Sequence, residues 1–185
     1  MLTTINKYTQ IKGVTIYRCT SAEAGTLPNN WIVSPAPAAI DVDITLPEQS
    51  HPTTDIQMMG SISIPDQTRI DNMQLTVNIN TDSLEASALS GAGIVYCRIC
   101  SVDEVVDQRA HLSLLGWTVY ASGYIGAQPE SSKNAGSENT GDLSMNVVSI
   151  KKQNSNGYVA YDINRLTNRL ERGGINYRAA LNALL

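Results

Sequence analysis

Hydrophobic and polar residues alternate along several stretches of the chain, which is the period-two pattern of β-strands with one buried face. The clearest of these stretches lies within residues 39–81. Residues 40–46 alternate until Pro47 removes a backbone donor, the alternation resumes around Gly60, and residues 73–79 form the most regular run. We therefore expect two or three consecutive strands here, on which the rest of the protein packs.

The segment 48–55 separates two of these predicted strands and consists of Glu, Gln, Ser, His, Pro, Thr and Asp, with no large apolar side chain. A segment with nothing to bury is expected to project into solvent or onto a partner. It is therefore the first candidate for an interaction element.

Further strands are predicted on both sides of this region. Residues 14–18 and 93–106 have strand character, and residues 110–125 form a longer run in which Gly116 predicts a bulge. The chain therefore contains enough strand to build a second sheet.

The C-terminal third predicts a hairpin. In residues 143–150 the apolar positions change phase near Val147, so we expect a bulge there. Asn156-Gly157 is the strongest short hairpin signal, and residues 158–163 should return antiparallel after it.

Two short helices are predicted. Asp82 or Ser83 can cap a helix that ends before Gly91, because three apolar residues between them share helical spacing. Asn176 can cap a second helix over residues 177–185, whose apolar side chains would have to dock on the protein.

At 185 residues the chain fits one domain with a core of its own. Phe is absent, and the aliphatic and tyrosyl residues that replace it favour sheet packing. We predict a mainly β, antiparallel β-sandwich or barrel with one short internal helix and a short C-terminal helix. The single domain spans residues 1–185 and has long loops at about 21–37, 47–55 and 127–141.

Charge and targeting signals exclude several classes of function. The net charge is −4 and no basic run occurs, which disfavours a dedicated nucleic-acid surface. The first eighteen residues contain no apolar segment of signal-peptide length, and no stretch reaches the roughly 20 apolar residues that span a bilayer. We expect synthesis in a cytoplasm, reduced thiols and no membrane insertion by this chain.

Candidate catalytic motifs lack the context that their chemistry needs. Cys97-Arg98-Ile99-Cys100 lies inside a predicted strand, where no helix N-terminus lowers a thiol pKa. His51 and His111 are the only histidines, and no nucleophile signature accompanies either one. Gly91-Ala92-Gly93 precedes a strand rather than a helix, which is the wrong context for phosphate binding. We therefore expect no enzyme activity, cofactor or metal.

The acidic residues Asp103, Glu104 and Asp107 allow three interpretations. They could form a metal cluster, a solvated acidic connection or an acidic docking surface. Three charges within five residues usually mark exposure.

The order of these elements resembles the major tail tube protein of contractile-tailed bacteriophages, whose relatives include the tubes of R-type bacteriocins and, by fold, the Hcp tube of type VI secretion. The similarity covers about half of the chain. It is carried by Ile44-Thr45-Leu46-Pro47 with the polar loop after it, Gly60, residues 62–65, 73–79 and 158–164, and Gly173-Gly174-Ile175-Asn176 with Tyr177, Arg178 and Leu181.

The resemblance implies hexameric rings that stack into the inner tube of a contractile tail, a conduit for DNA or ions. It places contacts between stacked rings at Pro47, Glu48, Gln49, Ser50, His51, Thr53, Thr54, Asp55, Met58, Met59 and Gly60. It places the sheath outside, and we assign to that contact Asp82, Glu85, Asp103, Glu104 and Asp107. C-terminal docking is assigned to Asp162, Asn164, Tyr177, Leu181 and Leu184.

The implied partners are further copies of the chain, the tail sheath protein, and the tape measure, baseplate and tail terminator proteins, with DNA only as passing cargo. The implied location is a virion tail or an extracellular injection particle that is assembled in the bacterial host cytoplasm. The alternative function is a β-sandwich module that binds a ligand or carbohydrate through its loops, and an enzyme ranks third.

Overall fold

The computed structural model describes residues 8–21, 31–58, 60–80, 89, 93–106, 112–127, 140–179 and 183–184, and these residues are predominantly β-strand. The strands are β1 (Tyr8–Ser21), β2 (Trp31–Val33), β3 (Ala39–Ile40), β4 (Ile44–Thr45), β5 (Thr53–Met58), β6 (Gly60–Pro65), β7 (Gln74–Asn80), β8 (Ile94–Val106), β9 (Leu112–Ala127), β10 (Thr140–Asn154), β11 (Val159–Asn164), β12 (Arg169–Arg172) and β13 (Ile175–Asn176). The prediction of a mainly β, antiparallel fold is confirmed.

All but two of these strands belong to one antiparallel sheet. Its main path runs β13-β12-β11-β10-β9-β8-β1-β2, while β5 and β6 pair only with each other in a separate two-stranded sheet. The first half of β10 also pairs with β7, and its second half pairs with β11. The same edge of β10 therefore pairs with β7 along its first half and with β11 along its second half.

The large sheet closes on itself through the segment 39–45. β3 pairs with β1, and β4 pairs with β7, which in turn pairs with β10. Between β3 and β4, Asp41 N donates to Val14 O at 2.8 Å, and Asn78 N donates to Asp43 O at 2.9 Å. The strands β1, β8, β9, β10 and β7 thus form a closed circuit with this segment, which removes most free edges from the sheet.

The core lies inside this circuit and consists of aliphatic residues that alternate along the strands. Fully buried members include Ile16, Leu75, Val77, Val147 and Ile150. Leu170 extends the same core beneath β12, and Met73 closes it at the start of β7. The core therefore draws on β1 and on the strands from β7 to β12, which are widely separated along the chain.

The predicted strand over residues 40–46 is interrupted, because Asp41 adopts a positive φ of 53°. A left-handed residue cannot continue a regular strand, so β3 ends at Ile40 and β4 begins at Ile44. The bend lets the segment leave β1 and reach β7. The region that the pattern marks as one strand is a connection between two edges.

Of the two predicted bulges, the one near Val147 is confirmed and the one at Gly116 is wrong. The register of β9 and β10 shifts between Val147 and Ser149, as the change of phase predicts. No shift occurs at Gly116, which pairs with Val102 in continuous register. The C-terminal hairpin is confirmed, because β10 and β11 flank a turn in which Gly157 has φ 81°.

The predicted helices are not found among the described residues. Of the internal one only Leu89 is described, and it is buried. Residues 177 and 178 lie in a turn after β13 rather than in a helix that starts at Tyr177, and the described part of the segment holds one helix-like bond, from Ala183 N to Ala179 O at 3.1 Å. No helix in the described ranges could cross a bilayer.

The predicted loops are shorter than expected where they are described. The loop 47–55 ends at Thr53, where β5 begins. Residues 31–33 of the first loop form β2, which pairs with β1. The third loop lies outside the described residues except at its ends, where β9 stops at Ala127 and β10 starts at Thr140.

Candidate functional site

The two-stranded sheet of β5 and β6 is a hairpin that pairs with no other described strand. Its register places Ile56 opposite Ile62 and Thr54 opposite Ile64. Because directly paired residues point to the same side of a sheet, the three isoleucines share one face. The other face carries polar residues, among them Ser63, whose hydroxyl donates to Asp55.

The isoleucine face of this hairpin is exposed. Ile56, Ile62 and Ile64 keep 42%, 54% and 47% of their surface in contact with solvent. Contiguous aliphatic side chains on an isolated hairpin mark an interaction site, because a two-stranded hairpin in water is marginal by itself. This face is the strongest candidate for a contact with another molecule.

The hairpin base, residues 47–52 and 66–72, is fastened to the closed sheet. Asp66 N donates to Pro52 O at 2.8 Å, and Asp71 N donates to Ser50 O at 3.0 Å, so the two legs are joined. Three arginines from the C-terminal part donate to main-chain carbonyls of the base: Arg165 to Ile70 and Asp71, Arg172 to Gln49, and Arg178 to Thr68.

His51 is central to the hairpin base. Its Nδ1 lies 3.1 Å from the carbonyl oxygen of Asp66 and 2.6 Å from that of Arg69, while its Nε2 lies 2.8 Å from Arg172 Nη1. Arg172 is the register partner of Tyr161, whose pKa burial raises to about 12. The base is therefore anchored on β11 and β12.

The structure divides the residues assigned to ring stacking into two groups. Pro47 is buried and Gln49 and His51 are half-buried in the hairpin base, whereas Glu48, Ser50, Thr53, Thr54 and Asp55 are exposed. Met58 and Gly60 belong to the paired strands, and Met59 lies outside the described residues. The expectation that the whole segment 48–55 projects is wrong, because its first half is tied down.

The three isoleucines of the hairpin were missed as site residues. Their alternation resembles that of a core strand, and only tertiary structure shows that they keep 42% to 54% of their surface in solvent and that no other described strand pairs with the hairpin. The signal that could have found them is the short spacing between the two runs, which allows a self-contained hairpin.

Five acidic residues were assigned to the sheath contact, and three of them, Asp82, Glu85 and Asp107, lie outside the described residues. Asp103 and Glu104 belong to β8 rather than to a loop. Glu104 forms an ion pair with Lys12 of β1. Asp103 lines a groove of about 120 Å³ with Ile11, Val14, Ile44, Leu46, Ile99, Ser101, Trp117, Val119 and Lys152.

The residues assigned to C-terminal docking have separate roles. Asp162 is buried and pairs with Arg169 at 3.3 Å. Asn164 Oδ1 accepts from Leu166 N and Thr167 N at 2.9 and 3.1 Å, which shapes the turn into β12. Leu184 is 86% exposed, so it does not dock on its own chain, and Tyr177 is partly exposed. Leu181 lies outside the described residues.

The outer face of the large sheet carries a row of polar residues that are register partners from strand to strand. This polar row consists of Tyr17, Arg98, Tyr120, Lys151, Asp162 and Glu171. Arg98 lies 4.8 Å over the Tyr17 ring, and Arg169 binds Glu171 at 2.7 Å. The row crosses six strands with charges of both signs.

Both ends of the main sheet path carry an exposed isoleucine. Ile32 of β2 is 63% exposed, and Ile175 of β13 is 60% exposed. An edge strand presents unpaired backbone groups on which another strand can form. These edges are the second candidate for a contact with another molecule.

The cysteines of the Cys-x-x-Cys motif face opposite sides of β8, and Cys97 is buried while Cys100 is half-buried. Burial raises the pKa of the Cys97 thiol to about 12 and that of Cys19 to about 11. A thiol that holds its proton is a poor nucleophile or metal ligand. In the described part of the chain no group of His, Cys, Asp and Glu residues is placed to bind a metal.

No protein-family model matches the chain, and no curated protein matches it at a significant level.

Proposed function

We propose that the protein is a structural subunit that assembles with copies of itself into stacked hexameric rings, the inner tube of a contractile tail or injection machine. The observation that carries this proposal is the isoleucine face of the β5–β6 hairpin, which keeps 42% to 54% of its surface in solvent and pairs with no other strand among the described residues. A second copy above or below can bury it, which gives stacking.

The free edges support lateral assembly within a ring. If β2 of one copy lies beside β13 of the next, the sheets join around a lumen, and the contact is heterologous, so it closes into a ring when the rotation permits. Exposed Ile32 and Ile175 then become contacts.

The polar row supports a conduit wall on the outer face of the large sheet. Its carboxylates Asp162 and Glu171 both pair with Arg169. Neutralised phosphates are what create affinity for DNA, so a row in which two cations, Arg98 and Lys151, are balanced by the two carboxylates gives a polyanion little net attraction. Asp103 and Glu104 remain candidate contacts for the tail sheath protein. The tape measure, baseplate and tail terminator proteins remain the proposed partners at the ends of the tube.

The alternative function, a ligand-binding module, has weaker support. The groove beside Trp117 has a volume of about 120 Å³, whereas pockets for organic ligands occupy roughly 300 Å³ or more. The Trp117 ring is also covered by Lys152, whose Nζ lies 4.8 Å from the ring centre.

The test is electron microscopy of the purified protein, with the variant Ile56→Ser/Ile62→Ser beside the wild type. We expect rings and tubes from the wild type, and rings that do not stack from the variant, with unchanged circular dichroism because both side chains are exposed. Tyr158→Ser/Leu166→Ser is the matched control, since it removes two exposed apolar side chains from turns.

A wild type that stays monomeric at high concentration contradicts the proposed function. Tubes of normal length from the isoleucine variant contradict the role of the hairpin alone.

A further inference from the structure

The contacts of His51 determine its protonation state. Its Nδ1 faces two main-chain carbonyl oxygens, which can only accept, so Nδ1 carries a proton. Its Nε2 faces a guanidinium nitrogen of Arg172, which can only donate, so Nε2 is an unprotonated acceptor. The imidazole is therefore neutral and held in the Nδ1–H tautomer.

We infer that His51 and Arg172 form a clamp that fixes the direction of the β5–β6 hairpin and opens when His51 is protonated. A second proton would place an N–H group against a guanidinium at 2.8 Å, with two cations and no acceptor between them. The clamp itself is inferred from the geometry of the single chain. That the direction of the hairpin matters for ring stacking rests on the proposed function.

Arg172 connects this histidine to both legs of the hairpin base. Its Nη2 donates to Gln49 O at 3.2 Å, while Nη1 donates to His51, which in turn donates to the carbonyls of Asp66 and Arg69 in the other leg. One side chain of β12 thereby orients both legs. Loss of the histidine contact removes the link between Arg172 and the leg that follows β6, which then keeps only its contacts with Arg165, Arg178 and the other leg.

Charged groups from the hairpin base and the C-terminal segment surround the clamp. They are Arg69 and Asp66 in the turn, Asp71 after it, and Arg178 from the C-terminal segment. The pKa of Asp66 is lowered mainly by a hydrogen bond from the Thr68 side chain and also by one from the Thr68 backbone N–H. This carboxyl therefore stays ionised in weak acid. Histidine is the side chain that ordinarily gains its proton between about pH 8 and 5.

The first measurement is the ¹⁵N NMR spectrum of the imidazoles in the isolated protein. The chain has two histidines, so the variant His111→Gln assigns the signals of His51. We expect the Nδ1–H tautomer at about pH 7.5. A dominant Nε2–H tautomer overturns the clamp.

The second measurement is amide hydrogen exchange of residues 47–52 and 66–72, corrected for intrinsic pH dependence. We expect exchange about tenfold faster at about pH 5.5 than at about pH 7.5 in the wild type. Arg172→Leu should exchange fast at both values. His51→Gln, which keeps one donor and one acceptor but does not titrate, should exchange slowly at both.

Lys12→Leu is the control, because it removes a cation that pairs with Glu104 on β8. It should behave like the wild type. A wild type without the pH effect, or a His51→Gln variant that retains it, overturns the inference. Because these readouts use the unassembled chain, a failure of rings to stack at any pH contradicts the proposed function and leaves the clamp standing.

Discussion

The strand β7 and the β5–β6 hairpin follow each other along the chain and have the same alternation of aliphatic and polar residues, but they meet opposite environments. Ile79 of β7 is 3% exposed, whereas Ile62 of the hairpin is 54% exposed. β7 is paired on both sides, by β4 and β10, and its aliphatic face lies inside the closed sheet. Among the described strands, β5 and β6 pair only with each other.

This difference shows what alternation reports. It indicates that one face of a strand is apolar and will be covered. It does not indicate whether the cover comes from the same chain or from another copy. In β7 the cover is intramolecular, and for the hairpin we propose that it is intermolecular.

The largest expected effect comes from the same substitution made in both regions. Ile79→Ala should lower the free energy of unfolding by about 2 to 5 kcal/mol, because it leaves a cavity in the core. Ile62→Ala should change it by at most about 0.5 kcal/mol, since the side chain is half in solvent already. Urea denaturation of the unassembled protein measures both values.

Equal losses in the two variants would contradict the comparison, because they would mean that the hairpin face is covered within the chain. An unchanged stability for Ile79→Ala would show instead that β7 is not part of the core.

An intermediate effect is expected at Gly123, where β9 passes close to β10. A Cβ atom at this position would lie 2.1 Å from the Asn146 carbonyl oxygen, so the backbone must shift. Gly123→Ala should cost about 2 kcal/mol. Gly116→Ala is the matched control on the same strand, since its Cβ would meet Ser155 at 3.6 Å, an ordinary contact. Thermal unfolding followed by circular dichroism should separate them, and equal Tm values would refute the close approach.

The smallest effect concerns pH and the outer face of the closed sheet. Burial raises the pKa of Asp162 above its ordinary value of 3.8, and the charges of Arg169 and Lys151 oppose this rise. Because the folded state holds the proton more tightly than the unfolded chain, the group stabilises the fold fully below pH 3.8 and loses this contribution as the pH rises through its raised pKa.

Asp162→Asn should therefore flatten the dependence of unfolding free energy on pH in that window. Asp142→Asn, at an exposed position of β10, is the control and should keep the wild-type slope. The opposite result, a steeper slope in Asp162→Asn, would show that the ion pair with Arg169 outweighs burial.

Local signals predicted part of the fold. The turn at Asn156-Gly157 and the change of phase near Val147 lie within a few residues of the structure that they describe, and both predictions are confirmed. Gly116 has no bulge, because glycine permits a bulge without requiring one. The alternating pattern does not indicate the break at Asp41, because that break depends on the pairing of β3 with β1 and of β4 with β7.

The candidate site was less predictable than the fold. The segment 48–55 was found by its lack of apolar residues, but half of it serves as an anchor. Arg172 contacts His51 and Gln49 from more than a hundred residues away, and no sequence spacing encodes such a pair.

The sequence by itself determined that the chain forms antiparallel strands with one apolar face, because alternation and turn residues act over a few positions. Only the tertiary structure decided that the segment 39–45 closes the sheet and that the C-terminal arginines hold the hairpin base. It also decided that Ile56, Ile62 and Ile64 keep about half of their surface in solvent. The physical reason is that burial and pairing depend on which distant strand occupies each edge, and that choice is made by the whole chain at once.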